Sequence, residues 1–138
     1  MKNVHSGVGF LLQLAKVNAV FTRKLDARLG GIGFTEFVLM HHISQAEGGR
    51  MRRTDLAEKL GLTASGVTRL LLPMEKIGLV RREADKNDAR VSYVTLGAGG
   101  KQKLAEGMER AELFVEEIIP AGKLKKLEDV TKLLAEIA

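Results

Sequence analysis

The sequence predicts a mainly α-helical fold carrying one small β-wing, on three observations. Apolar residues recur at three- and four-residue spacing through most of the 138 positions, as amphipathic helices require. Breaks at Gly30-Gly31-Ile32-Gly33, Gly48-Gly49 and Gly97-Ala98-Gly99-Gly100 divide that pattern into single-helix lengths. Between Leu79 and Leu96, two short runs containing Val91, Tyr93 and Val94 flank the polar connection Asp85-Lys86-Asn87-Asp88-Ala89, the pattern of an antiparallel ribbon. With 45% hydrophobic residues the chain can fill one modest core, so residues 1–138 are expected to form a single domain. Aromatics are 4% and Trp is absent, which leaves Phe10, Phe21, Phe34, Phe37 and Phe114 as the large pieces of an otherwise aliphatic interior.

Taken in order, Val8 to Leu29 predicts a first helix through Val8, Leu11, Leu12, Ala15, Ala19 and Leu25. A second starts at Thr35, carries Phe37, Val38, Met40 and Ile43, and ends near Gly48-Gly49. Thr54 to Leu60 predicts a short third helix stopped by Gly61, where a left-handed residue costs least. Thr63 is suited to capping the next helix, with Leu62 and Val67 at the two positions of a hydrophobic staple. Two helices joined by Gly61-Leu62 make a helix-turn-helix pattern. In the second of them Val67, Leu70, Leu71 and Met74 share an inward face, and Ser65, Thr68, Arg69 and Leu72 an outward one. Leu79–Ala84 and Arg90–Leu96 are the predicted strands, and Lys101–Ile119 and Lys123–Ile137 the last two helices.

The formal net charge is +5, and its placement says more than its size. Residues 50–96 hold ten Lys/Arg against six Asp/Glu, a surplus of four, whereas residues 97–138 hold seven against eight. Cysteine is absent, which excludes disulfides, thiolate zinc sites and thiol redox sensing. No apolar run approaches the roughly 20 residues that span a bilayer. A cytoplasmic protein without a membrane partner is therefore expected.

A helix that enters the DNA major groove needs small polar side chains and an Arg on its exposed N-terminal half, because bulk there holds the backbone away from base edges. Thr63, Ala64, Ser65, Thr68 and Arg69 meet that need. Arg69 is suited either to a guanine edge or to a phosphate, and the three hydroxyls to either purpose. Arg52 and Arg53 open the preceding helix, and Lys86 and Arg90 mark the ribbon tip, so three neighbouring elements converge on one polyanion. Asp88 is placed to brace Arg90.

Residues 51–100 resemble the MarR (multiple antibiotic resistance regulator) family of winged helix-turn-helix proteins. The resemblance is carried by Asp55-Leu56-Ala57-Glu58-Lys59-Leu60-Gly61-Leu62-Thr63, Val67-Thr68-Arg69-Leu70, Met74-Glu75-Lys76-Ile77-Gly78-Leu79-Val80, Asp88-Ala89-Arg90 and Gly100. It implies a winged helix-turn-helix lobe at 33–98, flanked by dimerisation helices at 1–32 and 99–138. It further implies a homodimer that sets two recognition helices on a pseudo-palindromic operator in double-stranded DNA, with Arg90 as the wing arginine. A ligand-responsive repressor is implied as well, its small-molecule effector bound between the dimer helices and the lobe; no residue identifies that molecule.

Three positions depart from the family pattern. Pro73 falls inside the recognition helix and predicts a bend near Arg69–Leu72, since proline removes a backbone donor. Arg52 stands where Ser or Thr often opens the first helix of the motif, leaving Thr54 or a phosphate as the cap. Gly97 replaces a Thr and predicts a weakened start to the long helix that follows.

No Ser/His/Asp, Cys/His, P-loop or dinucleotide-binding pattern is present, so no enzyme and no cofactor are predicted. His5, His41 and His42 are the candidate metal ligands, but adjacent histidines diverge on a helix, and no metal is expected. The competing function classes are a basic protein-interaction module and a DNA-binding protein that answers to no ligand. A steep salt dependence of duplex affinity separates the first of these from a DNA reader.

Overall fold

The computed structural model describes residues 2–138, with side chains from residue 6 onward; the side chain of His5 lies outside that range. The helices are α1 (Lys2–Asp26), α2 (Phe34–Gln45), α3 (Arg53–Leu60), α4 (Ala64–Lys76), α5 (Ala98–Ile118) and α6 (Leu124–Ile137). The strands are β1 (Arg50–Met51), β2 (Val80–Ala84) and β3 (Ser92–Leu96). They form one antiparallel sheet in the order β1-β3-β2, with Arg50 opposite Thr95 and Arg82 opposite Val94. The mainly α class with a small β-wing holds, and β1 is an addition: two residues are too few to produce an alternating pattern.

The core lies beneath the helix-turn-helix. Leu39, Met40 and Ile43 of α2 are fully inaccessible, as are Leu56 of α3 and Val67 of α4, with Leu71, Met74, Leu79, Val80 and Val94 packed beside them. α2 is apolar on several sides because α1, α3, α5 and the sheet all pack on it. Its first turn is capped from a distance: Asp26 Oδ1, at the end of α1, accepts from the Phe34 backbone N–H at 2.7 Å. α1 therefore stops at Asp26, and Ala27–Leu29 form the turn that precedes the glycines, short of the predicted Leu29 end.

The inward face of α4 is as expected for Val67, Leu71 and Met74, with Leu70 half-buried. α4 runs unbroken through Pro73. α3 starts at Arg53, with Arg52 at the N-cap position and no side-chain cap, so Thr54 does not cap it and lies within its first turn. Leu62 stays 42% exposed while Val67 is fully buried.

Gly97 has a role opposite to the weakness expected of it. A Cβ on Gly97 would sit 2.3 Å from the Gly78 carbonyl oxygen, and one on Gly100 would sit 2.0 Å from the Leu79 carbonyl oxygen. The Gly97 N–H donates to that same Leu79 oxygen at 2.9 Å. Only glycine permits the start of α5 to lie against the base of the wing. No side chain caps α5, as predicted, but its first turn is held by this backbone contact.

The α1–α2 connection is tied to α5 by charge. Both Arg28 Nη atoms donate to the Glu117 carboxylate at 2.6 Å, the guanidinium lies 5.2 Å from the Phe114 ring centre, and Lys103 Nζ donates to the Gly30 carbonyl at 2.8 Å. The guanidinium holds the Glu117 carboxyl below the usual carboxylate range. By contrast α6 buries no residue, and α1 from Ser6 to Ala19 is exposed apart from half-buried Gly9. Among the described residues no helix is long and apolar enough to cross a membrane.

Gly100→Ala should lower the unfolding free energy by about 1 to 3 kcal/mol, the cost of overpacking outweighing a gain in helix propensity. Gly122→Ala, which meets nothing within 4 Å, should change it by less than about 0.5 kcal/mol. Urea titration followed by circular dichroism distinguishes the two. His42 gives a second expectation: desolvation, then the neighbouring His41 and Lys59, holds its imidazole below the ordinary histidine value. A folded value below the unfolded one means the unfolded chain takes up the proton first, so stability is greatest above about pH 6.5 and falls as pH drops toward the depressed value. His42→Gln should flatten the decline in urea midpoint between about pH 7.5 and 5.5, and an unchanged slope would refute it.

Candidate nucleic-acid interface

Gly61 has φ +67°, and its N–H donates to the carbonyls of Ala57 and Glu58, which turns the chain between α3 and α4. Thr63 then caps α4, its Oγ1 accepting from the Gly66 N–H at 3.1 Å. The first turns of α4 thereby present a continuous strip: Ser65 and Arg69 exposed, Ala64 and Thr68 half-buried, and Leu72 51% exposed beyond them. Thr63 and Ser65 hydroxyls lie 3.2 Å apart. Arg53 of α3 reaches this strip, donating from Nη1 to Thr68 Oγ1 at 3.0 Å.

Arg52, Arg53, Arg82 and Arg90 line one cleft of about 250 Å³ between the start of α3 and the wing, with Thr54 and Ser92 on its wall. The orphan N–H groups of the uncapped α3 terminus add to the positive field there. Several of these arginines are oriented by the protein's own acids: Arg82 Nε donates to Glu75 at 3.2 Å, and Arg90 Nε to Asp88 at 3.2 Å. Arg50 Nη1 lies 3.8 Å from Glu83. Such exposed pairs are individually weak, so they hold a guanidinium in place without preventing its transfer to a stronger anion. Among the described residues Arg69 and Lys86 make neither an ion pair nor a side-chain hydrogen bond.

The wing tip is a built turn. Asp85 Oδ1 accepts from the Asn87 N–H at 2.8 Å and Asp88 Oδ1 from the Arg90 N–H at 3.0 Å. The Asn87 backbone bond foremost holds the Asp85 carboxyl below its usual range, and the Arg90 side chain foremost does the same for Asp88. Arg90 and Val91 therefore lie in the turn, not in the strand predicted to start at Arg90, and the Arg90 side chain is 89% exposed. Asp88 braces Arg90 as expected.

Tyr93 is the residue of this region that sequence reasoning noticed only as a strand former. Arg50 lies 4.0 Å and Arg52 5.8 Å from its ring centre, and its hydroxyl donates to Asp85 Oδ2 at 3.3 Å. β1 creates this stack: Arg50 pairs with Thr95, which puts it diagonal to Tyr93 on one sheet face. On the other side of the lobe, Phe37, His41, Met108, Ala111 and Val115 line an apolar groove of about 510 Å³ between α2 and α5, edged by Glu112 and Glu116.

A capped helix with a small polar face, preceded by a short helix and followed by a three-stranded sheet with an arginine-bearing tip, defines a winged helix-turn-helix protein. The family model described as MarR family matches residues 34–92, from the start of α2 to the first residue of β3, so this part of the chain is similar to that family. It is similar to the uncharacterised HTH-type transcriptional regulator YdgJ of Bacillus subtilis, 28% identical over 109 residues that make up 79% of this chain and 65% of that one. It is also similar to the HTH-type transcriptional regulator FarR of Neisseria gonorrhoeae, 32% identical over 96 residues, 67% of this chain and 64% of that one. The matches thus span just under two thirds of the length of these curated relatives. Among solved structures, the transcriptional regulator BldR from Sulfolobus solfataricus superposes with a TM-score of 0.82 at 24% identity, covering 99% of both chains. Sco3205 of Streptomyces coelicolor, a MarR family transcriptional regulator solved in complex with DNA, gives 0.74 at 22% identity, covering 92% of this chain and 84% of that one.

Proposed function

We propose that this chain is a transcription regulator that binds duplex DNA sequence-specifically as a homodimer. The observation that carries the reading is the convergence of three elements: the arginine-rich start of α3 and the wing arginines Arg82 and Arg90 line one cleft, and Arg53 from that cleft reaches the small polar strip of α4 at Thr68. Base edges in the major groove are reached from the strip, and phosphates from Arg52, Arg53, Lys86 and Arg90. The DNA complex of the fold relative Sco3205 is in keeping with this use of the fold.

The dimer is supported by apolar surface without a partner in the single chain. Leu11 and Leu12 of α1 are 61% and 67% exposed, and Leu124, Val130, Leu133 and Ile137 of α6 between 48% and 59%. Such a surface, on helices that bury little of their own, is that of an obligate interface. Two copies joined there would set two α4 helices on an inverted repeat, and occupancy of that repeat blocks transcription, the repressor reading. An effector is assigned to the groove between α2 and α5, where Glu112 and Glu116 disfavour an anion and suit a neutral or cationic apolar molecule.

Selection of bound duplexes from a random library at physiological salt tests the reading directly. An inverted repeat with half-sites about one helical turn apart is the expected outcome, and binding with no enriched sequence would favour a basic module that recognises charge alone. On the selected duplex, Arg69→Ala should weaken binding by about 1 to 3 kcal/mol and relax preference at one base pair. Arg90→Ala should instead reduce affinity on all duplexes and lower the salt slope by about 0.9 for each phosphate that is no longer neutralised. Sedimentation should show a dimer at micromolar concentration and a folded monomer for Leu133→Glu; a monomeric wild type would refute the interface.

A further inference from the structure

Thr68 is placed on the reading strip with its hydroxyl already engaged. Its Oγ1 donates to the Ala64 carbonyl, one turn earlier, at 3.1 Å, and accepts from Arg53 Nη1 at 3.0 Å. A threonine hydroxyl has one proton to give, so none is left for a base acceptor. Because hydroxyl and methyl share one carbon, holding the first fixes the second. The neighbours on the strip differ: Ser65 is exposed and lies within reach of Thr63 alone, and Arg69 is unpaired among the described residues.

We propose that Thr68 reads DNA through its Cγ2 methyl, discriminating for the C5-methyl of thymine in the major groove. The inference rests on the DNA-binding reading above and adds a specificity determinant to it. Thymine's methyl is the apolar group that the major-groove edge of a standard base pair offers, and a side-chain methyl is its natural contact. Ala64, one turn before Thr68, adds a second small apolar group to the same part of the strip. Arg53 holds the hydroxyl from α3 with one nitrogen and keeps its others for phosphate.

Replacing single thymidines by deoxyuridine in the selected duplex removes this methyl and nothing else. At one position per half-site the wild type should lose about fourfold in affinity, the size expected for one methyl taken from an apolar contact. Thr68→Val keeps the methyl and discards the hydroxyl, and should retain that penalty. Thr68→Ser keeps the hydroxyl and discards the methyl, and should bind both duplexes equally; circular dichroism verifies that both variants fold. Wild-type indifference to every substitution, an unchanged penalty in Thr68→Ser, or a selected site with no enriched thymine under α4 overturns the proposal while leaving the DNA-binding reading intact. Failure to bind any duplex overturns both.

Discussion

The carbonyl oxygens of Gly78 and Leu79 set the spacing between the winged helix-turn-helix lobe and the long helix behind it. The lobe must be carried by α5 if helices at the far end of the chain are to govern where α4 points, and α5 meets the wing through backbone alone at Gly97 and Gly100. A side chain at either place would push the wing away from α5 by more than the packing there tolerates. The close approach therefore acts as a stiff joint. Gly78, at φ +81°, turns the chain out of α4 so that both carbonyls are presented to it.

A second consequence is electrostatic. The surface facing the cleft is rich in arginine, yet much of that charge is balanced within the protein by Glu75, Glu83 and Asp88. Balanced guanidinium groups stay extended and oriented, which lowers the entropy lost when a polyanion takes them over. Among the described residues Arg69 on α4 and Lys86 at the tip of the wing carry no such partner.

Most of the architecture was legible because its causes are local. Periodicity of 3.6 marked α4 and its buried Val67, Leu71 and Met74; Gly61 and Thr63 marked a left-handed turn and a cap, and both behave as the chemistry of single residues requires. The candidate site residues Thr63, Ala64, Ser65, Thr68 and Arg69 fall on one strip for the same reason. What was illegible depends on distant partners. Gly97 looked like a lost cap because the carbonyl it meets belongs to a segment nearly twenty residues earlier. Asp26 capping α2 across a glycine turn, Tyr93 under two arginines and the Arg53–Thr68 bond are likewise products of packing, and no spacing rule announces them. The start of α3 was misplaced by one residue because its cap is a backbone conformation at Arg52 with no side chain to signal it.

Tyr93 is the single tyrosine of a chain that has no tryptophan. Its phenol sits in the wing, stacked beneath Arg50 and hydrogen-bonded to the turn at Asp85. The ultraviolet emission of this protein, excited above the phenylalanine band, thus originates at one known place, a few ångströms from two guanidinium groups. The molecule carries its own optical probe of the wing, needing no label and disturbing no contact, and the phenol's signal follows the environment of the two arginines packed against it.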